Sequence, residues 1–209
     1  MGYFRTKMKY IKYSRKWKRN MAGNTYTVGD KLPAFSMVGV TPENEFFNIN
    51  HDTYKGMWKV IVWYPKDFTF VCPTEIVAYD QLNKEFESRG AKLLIGSRDN
   101  EYVKVAWKAA DEQLSKLTTT MFADQGNSIW DDNAEDYRGG LAEQIGILTE
   151  SGVALRATII VDPTDIIQHV TINNLNVGRN ANETLRVLDA LQTGEKTACD
   201  RPIGGSTLG

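Results

Sequence analysis

Two largely apolar, β-branched runs, WKVIVWY (58–64) and AKLLIGS (91–97), restrict the possible folds more than any other feature of the chain. Neither alternates polar with apolar residues, as a half-solvated strand would; both read as strands buried on two faces. Between them Ile76, Tyr79, Leu82 and Phe86 recur at helical spacing, and Ser88-Arg89-Gly90 ends the pattern. Tyr102 to Leu114 reads as a second helix and TTTMFAD (118–124) as a short strand. RATIIVD (156–162) and IIQHVTI (166–172) flank Pro163-Thr164-Asp165, a hairpin-like turn, and Asn182 to Leu191 closes with a helix. Strand–helix–strand order early and a hairpin late imply an α/β domain with a mixed central sheet flanked by helices. No internal repeat or low-complexity block interrupts it.

At 209 residues with 42% hydrophobic content, the chain is long enough to bury a real core as one domain with extended ends. No run of about 18 apolar residues predicts a membrane span. The formal charge of −1 hides an asymmetry: residues 1–20 carry eight Lys or Arg and no acid, leaving 17 basic against 26 acidic residues elsewhere. A nucleic-acid partner would have to bind this arm alone, so none is expected. In the arm Phe4, Met8 and Ile11 share a helical face beside Arg5, Lys9, Lys12 and Lys16, as an organellar presequence or surface helix would, although Lys7 and Lys18 interrupt it. Met1-Gly2 with Thr6 also fits a loose myristoylation pattern. The simpler expectation is a basic extension over residues 1–23, disordered or processed, ahead of a domain at 24–192.

Two cysteines, Cys72 and Cys199, are too few for a disulfide scaffold and suit a reducing compartment, hence a cytoplasmic expectation. In YPKDFTFVCPTEI (64–76), Cys72 follows a buried strand by a short loop and precedes a helix. Pro73 fits the first helical turn, where the donor it lacks has little or no partner. Either Thr69 caps that helix or Cys72 itself sits near the cap. Free N–H groups and the positive end of the helix dipole favour an ionised sulfur there. A thiol near 8.5 is only a few per cent ionised at pH 7, and lowering it to about 6 requires roughly 3.4 kcal/mol. A helix end supplies about 0.3–1 kcal/mol, or about 2 when partly buried, so a nearby cation is required.

The segment resembles the active-site sequence of the typical two-cysteine peroxiredoxins, close to the alkyl hydroperoxide reductase C and thiol-specific antioxidant group. Pro65, Thr69 and Cys72 match its Pro-x-x-x-Thr-x-x-Cys pattern, and Trp107, RATIIVDP (156–163), VGRN (177–180) and ETLRVLDALQ (183–192) extend the match. The resemblance implies a thioredoxin-like fold and a thiol-dependent peroxidase for hydrogen peroxide and small organic hydroperoxides. By the same resemblance Cys72 is the peroxidatic cysteine, Arg156 holds it as thiolate, and Thr69 hydrogen-bonds thiolate and peroxide. Pro65 shields the pocket, Arg179 lines it, and Glu75 orients an arginine. Neither metal nor organic cofactor is implied, because sulfur itself accepts the oxygen.

Cys199 matches the resolving cysteine, which condenses with the sulfenic acid of a partner subunit's Cys72. Here the family's common GEVCP becomes GEKTACDRP, which moves the cysteine downstream by about two positions. The Gly-rich segment 193–209 reads as mobile, and an unanchored tail is expected to resolve Cys72 before overoxidation. The Gly-Gly-Leu-Gly loop and Tyr-Phe helix of hyperoxidation-sensitive members are not recognisable; RGGLAE (138–143) is only an echo, and 126–140 is longer than usual. The resemblance further implies a homodimer, assembled as a decamer of five dimers, and a dithiol reductant: a thioredoxin-like protein, a flavoprotein reductase or an adaptor. The alternative reading is a peroxide sensor or holdase-type ring with incidental turnover. Other chemistries fit less well. Glu75 stands where a Cys-x-x-Cys motif needs sulfur, and neither His51, in a probable loop, nor His169, in mid-strand, forms a metal or hydrolase constellation with a cysteine.

Overall fold

The two long apolar runs lie side by side. A computed structural model, which describes residues 26–125 and 140–209, places β3 (Trp58–Trp63) parallel to β4 (Ala91–Ser97), with Val62 opposite Ile95. In chain order they are preceded by β1 (Ser36–Val40) and β2 (Phe46–Asn50), and separated by α1 (Cys72–Asp80) and α2 (Asn83–Ser88). After β4 come α3 (Glu101–Ala110), a single 3₁₀ turn at Leu114–Lys116, β5 (Thr120–Ala123) and α4 (Leu141–Gln144). The chain then forms β6 (Arg156–Val161), β7 (Ile167–Asn173) and α5 (Ala181–Gln192). Among the described residues seven strands make one mixed sheet in the order β2-β1-β5-β4-β3-β6-β7. The basic arm and nearly all of the 126–140 stretch lie outside the described residues.

Central position explains why β3 lacks alternation. Val60, Val62 and Tyr64 point into the layer formed with α1, α3 and α5, while Ile61 and Trp63 point into the opposite layer with Leu94, Phe122 and Leu141. Lys59 interrupts the run yet is buried, because its ammonium reaches Asp165 Oδ1 at 2.8 Å in the β6–β7 turn. That turn is the predicted hairpin; Asp162 Oδ1 accepts from the N–H groups of Thr164 and Ile166.

Three differences from the sequence expectations have local causes. The single helix expected over 76–86 breaks into α1 and α2. At the break Asp80 Oδ1 accepts the N–H groups of Thr118 and Thr119, both at 2.8 Å, and Leu82 leaves helical geometry with ψ 3°. The helix expected to reach Leu114 stops at Ala110, beyond which Asp111 adopts an extended conformation and its carboxylate accepts from Gln113 and Leu114. The β1–β2 hairpin was not expected. Its strands are short, and Gly39 dilutes the apolar signal of β1. That glycine is needed, since a Cβ there would lie 2.5 Å from the Phe47 ring.

Asp124 fixes the point at which the chain re-enters after residue 139. It is fully buried and accepts from Trp63 Nε1 at 2.9 Å and from the N–H groups of Leu141 and Ala142 at 2.7 Å each. A Cβ on Gly140 would come within 2.4 Å of its Oδ1, so the approach requires glycine. Burial pushes the Asp124 carboxyl above its ordinary range, against the opposing pull of these three donors. Replacement Asp124→Ala strands three buried donors and is expected to cost on the order of 3 kcal/mol. A urea titration should show a lower midpoint with an unchanged slope.

Candidate active site

Strand register delivers the site. β6 runs antiparallel to β3 with Ala157 opposite Trp63, so Arg156 begins its strand beside the point where β3 ends. β7 pairs with β6, Asn173 opposite Arg156, so the segment leaving β7 returns to the same end of the sheet. There the Asn173 amide donates to the carbonyls of Val177 (3.3 Å) and Gly178 (3.2 Å), and Arg179 follows immediately ahead of α5. The loop after β3 reaches this end too and opens α1 at Cys72.

Arg156, Arg179, Glu75 and Cys72 converge. The Cys72 sulfur lies 3.6 Å from Arg156 Nη1, and the residue is 1% exposed. The same Nη1 donates to Glu75 Oε2, while Arg156 Nε donates to the Leu175 carbonyl at 2.7 Å. Arg179 grips the other side of the carboxylate: its N–H and Nε both reach Glu75 Oε1 at 2.9 Å, and Nη2 reaches Oε2 at 3.2 Å. All three charged side chains are almost wholly buried. Two guanidinium groups thus share one carboxylate, and the Cys72 sulfur stands beside the Arg156 side of that cluster. The first turn of α1 adds its unpaired N–H groups.

Behind Arg179 stands a support that sequence reasoning missed. Its Nη1 donates to the Ala157 carbonyl (2.6 Å) and to Thr158 Oγ1 (3.1 Å), and its guanidinium lies 5.7 Å from the Tyr79 ring centroid. The Tyr79 hydroxyl bonds Thr158 (3.1 Å) and Thr184 (2.9 Å). In the sequence Tyr79 shows only helical spacing, and nothing marks its hydroxyl as buried.

The remaining expected site residues are placed as follows. Thr69 does not cap α1; its hydroxyl donates to the Lys66 carbonyl at 3.0 Å, and the N-cap position is Val71, which makes no side-chain cap. Cys72 is the first helical residue, with Pro73 behind it. Pro65 is half-buried directly after the fully buried Tyr64. Cys199 is a free, exposed thiol, as Cys72 is a free, buried one. The tail carrying Cys199 was expected to be unanchored; instead several contacts tether it. Arg201 is buried, with Nη1 on Asp189 Oδ2 at 2.7 Å and Nε on the Gly205 carbonyl at 2.9 Å. The Gly204 N–H reaches Asp189 Oδ2 at 3.0 Å, and Leu208 N–H reaches the Lys196 carbonyl at 2.8 Å. Pinning of the chain two residues beyond Cys199 removes the basis for expecting unusually fast resolution. Among the described residues no group of three or more His, Cys, Asp or Glu is placed to hold a metal, and no helix is long and apolar enough to cross a membrane.

Residues 28–170 match the model of the AhpC/TSA family. The chain belongs to that family. Alkyl hydroperoxide reductase C of Mycolicibacterium smegmatis is 40% identical over 193 residues, covering 87% of this chain and 93% of that one. Peroxiredoxin TSA1 of Saccharomyces cerevisiae is 37% identical over 188 residues, covering 87% and 90%. Among solved structures, reduced Plasmodium vivax 2-Cys peroxiredoxin superposes with a TM-score of 0.75 at 31% identity, covering 86% of this chain and 91% of that one. Mycobacterium tuberculosis AhpC gives 0.70 at 39% identity, covering 84% and 98%. The fold is therefore thioredoxin-like, as the resemblance implied, and this AhpC/TSA member is a thiol-dependent peroxidase.

Glu75→Gln withdraws the charge shared by two buried guanidinium groups. It is expected to cost about 3 kcal/mol in urea unfolding. Because Arg156 is then free to shift from the sulfur, stopped-flow peroxide reduction should slow about 10²-fold. An unchanged peroxide rate would show that Glu75 does not position Arg156. At the tail, burial alone would raise the Asp189 carboxyl, but the Gly204 N–H and Arg201 guanidinium hold it below its ordinary value. Its contribution to tail docking is therefore fully present above the ordinary aspartate value and is lost as pH falls below it. The Gly204 amide resonance should track that acid titration, and Asp189→Asn should abolish the dependence.

Proposed function

We propose that Cys72 is the peroxidatic cysteine of this peroxidase and that Cys199 of a partner subunit resolves it. The observation that carries the reading is the Arg156 Nη1–Cys72 Sγ contact of 3.6 Å, made inside a buried cluster of two guanidinium groups and one carboxylate. The ionised sulfur attacks one peroxide oxygen; the S–O bond forms, the O–O bond breaks, and the departing alkoxide or hydroxide takes a proton. Cys72 becomes a sulfenic acid, and the other product is an alcohol or water. Donors preorganised around the sulfur stabilise the charge that develops on the leaving oxygen. Arg156 and Arg179 supply guanidinium N–H groups, Pro65 an apolar shield, and Glu75 the orientation of both arginines; Thr69 would supply a hydroxyl to thiolate and peroxide by turning from the Lys66 carbonyl it now meets. Hydrogen peroxide and small organic hydroperoxides are the proposed substrates; the name of the Mycolicibacterium smegmatis relative supports the second class.

In the second step the Cys199 thiol attacks the sulfenic sulfur, forming a disulfide and releasing water. Bridged cysteines need Cα atoms within about 7 Å, which a sulfur 1% exposed at the foot of a helix does not allow an incoming tail. The start of α1 ahead of Glu75 must therefore open, and it is lightly held. Its N-cap has no side-chain bond, and the first backbone bond, Glu75 N–H to the Val71 carbonyl, is long at 3.4 Å. A dithiol reductant, whether a thioredoxin-like protein, a flavoprotein or an adaptor, then returns both thiols.

Assembly as homodimers, and as a decamer of five of them, fits the apolar surface around the loop. Phe70 is 98% exposed, and Phe68, Val71, Phe46 and Tyr102 are also exposed. Residues 24–192 form the catalytic domain in this reading, 1–23 an extension outside the activity and 193–209 the resolving segment; a cytoplasmic setting fits the sparse cysteine. A holdase ring is less well supported, since it requires no such thiol site, and the relatives' names, alkyl hydroperoxide reductase and peroxiredoxin, favour turnover over sensing.

Single-turnover reaction with hydrogen peroxide, followed by mass spectrometry, tests the assignment. Cys72→Ser should lose the fast reaction, whereas Cys199→Ser should retain it and accumulate sulfenic and sulfinic acid at Cys72. An intersubunit disulfide that still forms in Cys199→Ser would sink the resolving role.

A further inference from the structure

Among the described residues Lys104 is the largest charged side chain buried without trace of exposure, and none of the chemistry above uses it. It lies on α3, and its ammonium has three protons and three acceptor groups: Ser97 Oγ at 2.9 Å, Asp67 Oδ2 at 3.2 Å and the Tyr64 hydroxyl at 3.4 Å. Asp67 is held further. Ser97 Oγ donates to its Oδ1 at 2.9 Å, and its own N–H donates to Asp99 Oδ2 at 2.8 Å. Asp99 N–H closes the ring on Ser97 Oγ at 3.1 Å. Burial lowers the Lys104 ammonium from its ordinary value, with the Asp67 carboxylate pulling the other way.

Stability alone does not account for such a pair. A buried ion pair can often be replaced by apolar residues at little or no cost, because desolvation cancels most of the attraction. What the pair specifies is the path of one loop. Asp67 lies between Pro65 and Thr69, five residues before Cys72. The next residue, Phe68, takes the left-handed conformation at φ 54°, which is unfavourable for a residue with a Cβ. Its ring stacks on Trp107 at 5.7 Å. Lys104 and Trp107 stand three apart on α3 and therefore on one face. That helix face grips two successive loop residues, the first by charge and the second by ring stacking.

We propose that Lys104, acting through Asp67, is a positioning residue for peroxide reduction: it fixes the path of loop 64–69, which carries Pro65 and Thr69 ahead of Cys72. This rests on the assignment of Cys72 as peroxidatic and of Thr69 and Pro65 as its companions. The pair is 0% and 1% exposed in its side chains, so it acts on substrate only through the loop. Its loss should therefore damage reactions that need the loop's geometry and spare those that need only an available sulfur.

The test compares two reactions of Cys72 in the full chain, in a Cys199→Ser background so that one thiol is read. Hydrogen peroxide requires the arranged donors; iodoacetamide requires only an accessible, ionised sulfur. The variants are Lys104→Met and the charge-neutral double Lys104→Met/Asp67→Asn, the second leaving no unpaired buried charge and so protecting the fold. Both should reduce peroxide about 10²-fold more slowly than the parent while iodoacetamide rates stay within about threefold, since a displacement near 1 Å has that scale of effect on oriented reactions. A double variant that folds cooperatively and keeps the parent's peroxide rate overturns the proposal. So does a parallel fall in both rates, which is what general loosening of the fold would produce. A parent no faster with peroxide than a free thiol would remove the Cys72 assignment itself, and that failure is read from the parent alone.

Discussion

Glu75 is a buried carboxylate held by two guanidinium groups, and the arrangement exists only because three strand ends meet. Arg156 arrives through the antiparallel register of β6 against β3, Arg179 through the return from β7, and Glu75 through the first turn of α1. A slip of one residue in the β6–β3 pairing would turn Arg156 to the opposite face of the sheet. The core therefore sets the chemistry. Layers of Val, Ile and Leu on both sides of β3 fix a register, and the register fixes where the two guanidinium groups, the carboxylate and the sulfur meet.

The fold was legible where periodicity was strong and length sufficient. The apolar runs at β3, β4 and β6 and the helical spacing of α5 needed no tertiary information, because burial on two faces writes itself as continuous hydrophobicity. The β1–β2 hairpin was hidden by brevity and by Gly39, whose role is visible only once Phe47 is known to lie across from it. The split between α1 and α2 was hidden for another reason: Asp80 answers to Thr118 and Thr119, nearly forty residues away, and local spacing carries no trace of that.

The candidate site shows the same division. Cys72, Pro65 and Thr69 form a contiguous pattern and could be picked out together, whereas Arg156 and Arg179 became meaningful only through resemblance, since each alone reads as a strand-end or loop charge. The supports were not legible at all. Tyr79 shows only helical spacing, and nothing in the local sequence sets Lys104 apart from a solvated helix lysine or Asp67 from a loop acid. Arg201 was obscured by the glycines around it, so a tethered segment read as a loose one.

The proposed mechanism places two conflicting demands on the same few residues. Peroxide reduction would need the Cys72 sulfur dry, oriented and faced by fixed donors; disulfide formation would need it brought out to a partner's tail. The fixed part is concentrated behind and beside the sulfur, in Arg156, Arg179, Glu75 and the Lys104–Asp67 grip on the loop, all buried and multiply bonded. The weakly held part is the start of the helix ahead of Glu75, with no side-chain cap, a long first hydrogen bond and Phe70 and Val71 exposed beside it. In the proposed mechanism only those residues would unwind, because Glu75, in the same first turn, is held by both arginines. Bonds around Cys72 are thus distributed unevenly: many at Glu75, Arg156 and Arg179, few where the helix begins.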